Sequence, residues 1–69
     1  MVVFDRLWET MGRKNISTYQ LREKYGIDSK TVRKLRKNCT VTTATLDRLC
    51  TILECSLEDI AEHIPDRKE

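Results

Sequence analysis

The sequence predicts an all-α domain built from five short helices, and three observations lead to this expectation. The chain has 69 residues, enough for one domain around a single hydrophobic core, and 39% of them are apolar. Four segments repeat the same helix-start pattern. An alternating strand pattern is absent outside residues 1–3, which we expect to be too few to form a sheet.

In each of the four segments an apolar residue precedes a Ser, Thr or Asp cap, and a second apolar residue follows four positions after the cap. The cap oxygen accepts a hydrogen bond from a backbone N–H of the first turn, while the apolar pair fixes the direction in which the chain enters the helix. Gln20 and Asp59 stand where they can complete reciprocal capping boxes. The four segments are Ile16-Ser17…Leu21, Ile27-Asp28…Val32, Val41-Thr42…Leu46 and Cys55-Ser56…Ile60.

A further helix is predicted before these, because one apolar face at helical spacing contains Phe4, Leu7, Trp8 and Met11. Helix ends are predicted at residues that tolerate a left-handed backbone, Gly26 and Asn38, and before Pro65, which blocks continuation. Within one domain of residues 1–69, the expected helices lie near 4–13, 18–25, 29–37, 43–53 and 57–63.

Charge is segregated along the chain. Residues 12–38 carry nine basic and two acidic side chains, a net charge of +7. Residues 1–11 carry one basic and two acidic side chains, and residues 39–69 carry three and seven, which gives net charges of −1 and −4. A basic segment with acidic flanks is typical of a protein that binds a polyanion, but a solvated charged surface explains the same composition. Charge alone leaves both alternatives open.

The helix predicted at 29–37 places five cations on one face and the apolar residues Val32 and Leu35 on the other. Like charges three and four positions apart repel each other by about a few tenths of a kcal/mol per pair. A sequence tolerates this repulsion when an anion occupies the face, so the arrangement favours a nucleic-acid partner over a solvated surface. The five cations are Lys30, Arg33, Lys34, Arg36 and Lys37.

Residues 17–37 form a short capped helix, a turn at Gly26 and the cationic helix, with apolar residues where two crossing helices need them: Leu21, Tyr25, Ile27, Val32 and Leu35. At these residues the chain resembles the helix-turn-helix DNA-binding domains of the Cro and phage-repressor (Xre) family. Residues 41–60 resemble the family's last two helices. The chain departs from the family where glutamine, a small residue and glycine are usual, at Thr18, Arg22 and Asn38.

The resemblance covers residues 4–64 and implies a lambda-repressor-like fold and a repressor-like transcriptional regulator, bacterial or phage, that binds duplex DNA. The residues implied to contact base edges in the major groove are Ser29, Lys30, Arg33 and Lys34. The residues implied to contact phosphates are Ser17, Thr18 and Lys37. Arg33 is the best candidate for guanine, because its forked donors match the O6/N7 edge.

One recognition helix specifies few base pairs, so we expect a homodimer that is weak or forms only on DNA. The resemblance implies half-sites ~34 Å apart. We expect the dimer interface to use terminal apolar residues that no helix needs, namely Met1, Val2, Val3 and Ile64.

The sequence contains no pattern for catalysis, so we expect no enzyme activity, metal, cofactor or small-molecule ligand. Cys50, Cys55 and His63 lack the spacing of zinc ligands, and we expect three free thiols, with Cys50 buried as a small apolar residue. No apolar run is long enough for a membrane span or a signal peptide, which predicts a cytoplasmic protein. The alternative function is a protein-interaction module on the same fold, such as an antitoxin partner domain.

Overall fold

The computed structural model describes residues 1–65, which form a mostly helical fold with a small two-stranded sheet. The elements in chain order are β1 (Val2–Val3), α1 (Asp5–Arg13), α2 (Thr18–Glu23), α3 (Ser29–Arg36), α4 (Thr43–Leu53), a 3₁₀ helix (Leu57–Asp59) and β2 (Glu62–His63). The predicted helix starts are confirmed to within one residue for the first four helices. α2 and α3 end one or two residues earlier than predicted.

The predicted caps explain where the helices begin. Ser17 and Gln20 form the reciprocal capping box: the Ser17 hydroxyl accepts from the Gln20 N–H at 3.2 Å, and the Gln20 side chain accepts from the Ser17 N–H at 2.9 Å. Asp28 and Thr42 also accept from backbone N–H groups in the first turns of α3 and α4. Each cap satisfies a donor that the helix itself leaves unpaired.

The prediction of a fifth α-helix over 57–63 is wrong. The capping box of Ser56 and Asp59 forms as predicted, but it starts only the 3₁₀ helix, which is followed by β2. The chain leaves the helical conformation because residues 62–64 find backbone partners at the N-terminus instead. The Ile64 N–H donates to the Met1 carbonyl at 2.8 Å.

The expectation that residues 1–3 are too few to form a sheet is also wrong. Val2 and Val3 pair antiparallel with His63 and Glu62. Two-residue strands have little stability alone. Here Val3 is only 5% exposed, so its burial on the core holds β1 in place while the ladder satisfies the backbone.

The core lies between α1, α2, α3, α4 and the 3₁₀ helix. Every one of these helical segments, or the residue just after it, contributes a side chain with no more than 1% exposure: Leu7, Leu21, Leu35, Leu49, Leu53 and Ile60. Cys50 packs at the edge of this core and is half-buried, which corrects the prediction of full burial. Among residues 1–65, no helix is both long and apolar enough to cross a membrane.

Replacing Leu49 by alanine is predicted to lower the free energy of unfolding by roughly 2–5 kcal/mol, because a fully buried leucine loses its contacts and leaves a cavity. Urea denaturation measures the change. Leu57→Ala is the matched control: that side chain is 54% exposed, so its loss changes stability by about 0.5 kcal/mol or less. Equal stability of the two variants would contradict the packing of α4 described above.

Candidate nucleic-acid interface

The turn between α2 and α3 fixes how the two helices cross. Gly26 has φ 72°, a left-handed backbone that glycine adopts without strain. The Ile27 N–H then donates to the Leu21 carbonyl at 2.9 Å, which closes the turn onto α2. Leu21 and Ile27 are both buried. The turn therefore places α3 across α2 with one side of α3 on the core.

The opposite side of α3 faces solvent. Val32 and Leu35 are buried, whereas all four residues predicted to contact bases are exposed: Ser29, Lys30, Arg33 and Lys34. In the part of the chain that the structure describes, none of the three basic side chains in this set has an ion-pair or hydrogen-bond partner. The outer face of α3 thus carries cations that the fold itself does not neutralise.

Arg36 does not belong to this outer face, which corrects the prediction of five cations on one face. Its guanidinium lies 5.0 Å from the centroid of the Trp8 ring on α1. On a helical wheel Arg36 is only about 40° from Val32, which is buried, so its stem starts at the edge of the core. The ring of half-buried Trp8 offers it a cation–π contact.

The residues predicted to contact phosphates lie at the start of α2 and the end of α3. Ser17 is exposed, and its hydroxyl oxygen is engaged in the capping box. Thr18 is half-buried at the first position of α2. Lys37 is exposed directly after α3. Lys37 thus follows Lys34 and Arg33 by about one helical turn, whereas Ser17 and Thr18 lie at the start of a different helix.

A groove beside α3 was missed by sequence reasoning. It joins the side of α3 to the start of α4, and its lining residues are Thr31, Lys34, Thr40, Val41, Thr42 and Thr45. Hydroxyl groups beside a lysine offer hydrogen-bond donors next to a positive charge. The available signal in the sequence is the density of threonines over 40–45, which includes three besides the cap Thr42.

The family model for the Cro/C1-type HTH DNA-binding domain matches residues 6–66. The chain belongs to this family. Among solved structures, the crystal structure of the transcriptional regulator VanUg, Form II, is similar to the chain, with a TM-score of 0.84 and 32% identity. The match covers 94% of this chain and 87% of that chain. No curated protein matches the chain.

Sequence reasoning also missed Arg48, which positions α3 in this Cro/C1-type domain. Arg48, on α4, donates from its guanidinium to the Tyr25 carbonyl at 2.5 Å. Tyr25 precedes Gly26, so this bond ties α4 to the turn from which α3 starts. Arg48 is one of only three basic residues within the acidic segment 39–69, which was the available signal.

Arg22 departs from the small residue that the family usually has at its position. Its side chain is exposed, so it lies in solvent and not between the crossing helices. The long side chain is therefore compatible with the close packing of α2 and α3, which uses Leu21. Within residues 1–65, no group of three His, Cys, Asp or Glu side chains is placed to hold a metal ion.

Asn38 combines two tasks at the end of α3. It adopts the predicted left-handed conformation, with φ 56°, and its side-chain oxygen accepts from the Phe4 N–H at 2.8 Å. The family's usual glycine can supply only the first of these. The hydrogen bond joins the end of α3 to the start of α1, so it fixes the second end of the helix that carries the outer cations.

Asn38→Gly is predicted to lower the free energy of unfolding, because the part-buried Phe4 N–H loses its acceptor at a cost of about 1–3 kcal/mol. The matched control is Asn15→Gly. Asn15 has nearly the same φ, 58°, and its side chain has no hydrogen-bond partner among the described residues. Glycine relieves the strain of the left-handed backbone at both positions. The difference between the unfolding free energies of the two variants, measured in urea, therefore isolates the hydrogen bond. Equal unfolding curves would contradict this role for Asn38.

Proposed function

We propose that this domain is a repressor-like transcriptional regulator of bacterial or phage type that recognises duplex DNA in the cytoplasm by placing α3 in the major groove. The observation that carries the proposal is the outer face of α3, where Lys30, Arg33 and Lys34 are exposed and unpaired while the opposite side is buried. The phosphates along the major groove of duplex DNA would supply the negative charges that this face of the protein lacks. Family membership supports the same function.

In this proposal the first two turns of α3 contact base edges and the flanking elements contact phosphates. Arg33 recognises guanine, because its planar guanidinium donates two parallel hydrogen bonds to O6 and N7. Ser29, Lys30 and Lys34 contact neighbouring base edges. The phosphate contacts come from both sides of the recognition site, from Ser17 and Thr18 at the start of α2 and from Lys37 after α3.

We also propose that two copies bind DNA together, through a weak interface or one that forms only on the operator. The prediction that both valines are free for this interface is wrong, since Val3 is buried and both valines of β1 pair with β2. Apolar surface remains at this end of the domain, where Met1, Val2 and Ile64 are 59%, 47% and 42% exposed. Three exposed apolar side chains support a weak contact between copies and not an obligate dimer.

Arg33→Ala and Lys37→Ala are predicted to have different effects on binding. Loss of Arg33 relaxes the preference at one base position and costs roughly 1–3 kcal/mol on the preferred site, because direct readout is lost. Loss of Lys37 weakens binding to all duplexes alike and reduces the slope of log K against log salt by about 0.9. Fluorescence anisotropy with sites selected from random duplex DNA measures both effects at several salt concentrations.

Arg6→Ala is the control for this experiment, since it removes the same charge from α1, where Arg6 pairs with Glu62 at 3.4 Å. We expect it to leave sequence preference unchanged. Two outcomes contradict the proposal. A uniform loss from both Arg33→Ala and Lys37→Ala would make Arg33 a phosphate contact only. Duplex binding with no salt dependence, unaffected by loss of Arg33 and Lys34, would favour the protein-interaction module instead.

Two copies are predicted to bind one duplex that carries two inverted half-sites one helical turn, ~34 Å, apart. Sedimentation velocity with protein and duplex, together and separately, gives the stoichiometry. A duplex with one half-site is the control and should bind a single copy. A one-to-one complex on the two-site duplex at saturating protein would rule out the homodimer while leaving recognition by α3 intact.

A further inference from the structure

Two of the three cysteines lie together at the end of α4. The helix ends with Glu54 in the left-handed conformation, φ 53°. The Cys55 N–H donates to the Cys50 carbonyl at 3.0 Å, and the Glu54 N–H donates to the Thr51 carbonyl at 3.3 Å. This pair of bonds is the Schellman motif, which is frequently accompanied by a contact between the residues at the positions of Cys50 and Cys55.

The backbone bond holds the two cysteines within reach of a disulfide. The carbonyl oxygen of Cys50 is ~2.4 Å from its own Cα, and the nitrogen of Cys55 is ~1.5 Å from its own Cα. With a bond of 3.0 Å between them, the two Cα atoms are at most ~7 Å apart. Disulfides span roughly 4.4–6.8 Å between Cα atoms, so the capping bond keeps the pair close to the required range.

The two side chains also share one environment. Both are half-buried and line an open cavity of about 490 Å³ between the end of α1, the end of α4 and the 3₁₀ helix. Burial, followed by the neighbouring Cys50 thiol, raises the pKa of the Cys55 thiol. A small oxidant that enters the cavity meets both cysteines, since both line it. None of its lining residues belongs to α3.

The third cysteine is separate from this pair. Cys39 is exposed after α3, where its thiol contacts the Lys37 carbonyl at 3.9 Å, and it does not line the cavity. Of the three thiols, only those of Cys50 and Cys55 therefore have a neighbouring cysteine with which to form a disulfide after oxidation. Neither residue has a task in the proposed recognition of DNA.

We propose that Cys50 and Cys55 form a modification site, a dithiol that hydrogen peroxide oxidises to an intramolecular disulfide. The Cys50 thiol loses its proton, and its sulfur attacks one oxygen of hydrogen peroxide. The O–O bond breaks, Cys50 becomes a sulfenic acid, and the departing hydroxide takes up the proton and leaves as water. The Cys55 thiol then attacks the sulfenic sulfur, the S–S bond forms, and the second water leaves. Two thiols lose two electrons and two protons in total, and hydrogen peroxide is reduced to two waters.

Burial raises the pKa of the Cys55 thiol and so disfavours its thiolate, which is consistent with this order. The product would cross-link the last turn of α4 to the segment that enters the 3₁₀ helix. That helix is already fixed to α1, because the Thr10 hydroxyl donates to the Asp59 carbonyl at 2.7 Å. The disulfide thus joins two segments that the fold already holds in place, and folding need not be disrupted for it to form.

Tryptic digestion separates the pair from the third cysteine. No Lys or Arg lies between Arg48 and Arg67, so Cys50 and Cys55 share peptide 49–67, whereas Cys39 lies in peptide 38–48. The full, reduced chain is treated with hydrogen peroxide, the remaining thiols are blocked, and the digest is analysed without reductant. We expect peptide 49–67 to become about 2 Da lighter with no blocked thiol, and to regain both thiols on reduction with dithiothreitol.

Matched variants test the assignment. In the Cys39→Ser variant, the two remaining thiols are expected to form the same disulfide. Cys55→Ser is expected to form none, and its Cys50 sulfenic acid should be trapped by dimedone. A cross-link between peptides 38–48 and 49–67 would overturn the proposal, as would oxidation of Cys39 while both thiols of peptide 49–67 stay reduced. The decisive measurement uses the unaltered chain, so it does not depend on whether the variants fold.

Discussion

The burial of Val32 and Leu35 is the constraint on which the rest of this structure depends. These two side chains fix the rotation of α3 about its own axis, because both must face the core formed with Leu21 and Ile27. Once that rotation is fixed, every other position of α3 has a defined direction. Lys30, Arg33 and Lys34 lie well away from Val32 on the helical wheel and face solvent, whereas Arg36 lies near it and stacks on Trp8.

The first four helices and the exposure of the outer face of α3 could be predicted from the sequence, because both depend on local rules. Caps such as Ser17 and Asp28 act within a few residues, and helical periodicity separates Leu35 from Arg33 without reference to other elements. Gly26 and Asn38 were predictable for the same reason. Their positive φ values follow from the backbone preferences of glycine and asparagine.

The features that could not be predicted join residues far apart in the chain. β1 and β2 are 60 positions apart, and two-residue strands have too little pattern to be recognised alone. Distance in sequence also hid three side-chain contacts: Asn38 with Phe4, Arg48 with Tyr25 and Arg36 with Trp8, which are 34, 23 and 28 positions apart. Each of these is a polar or charged group whose partner is chosen by tertiary packing, and periodicity carries no information about that choice.

These long-range contacts explain how a small domain keeps an unneutralised cationic helix in place. Repulsion between neighbouring cations on α3 costs about a few tenths of a kcal/mol per pair. Burial of one side chain such as Leu35 contributes roughly 1.5–3 kcal/mol, several times more. The fold can therefore hold Lys30, Arg33 and Lys34 unpaired without losing α3, provided that both helix ends are fixed. The bond of Arg48 to the turn and that of Asn38 to Phe4 meet this condition, so the outer face needs no protein carboxylate to compensate it and stays open to an anionic partner.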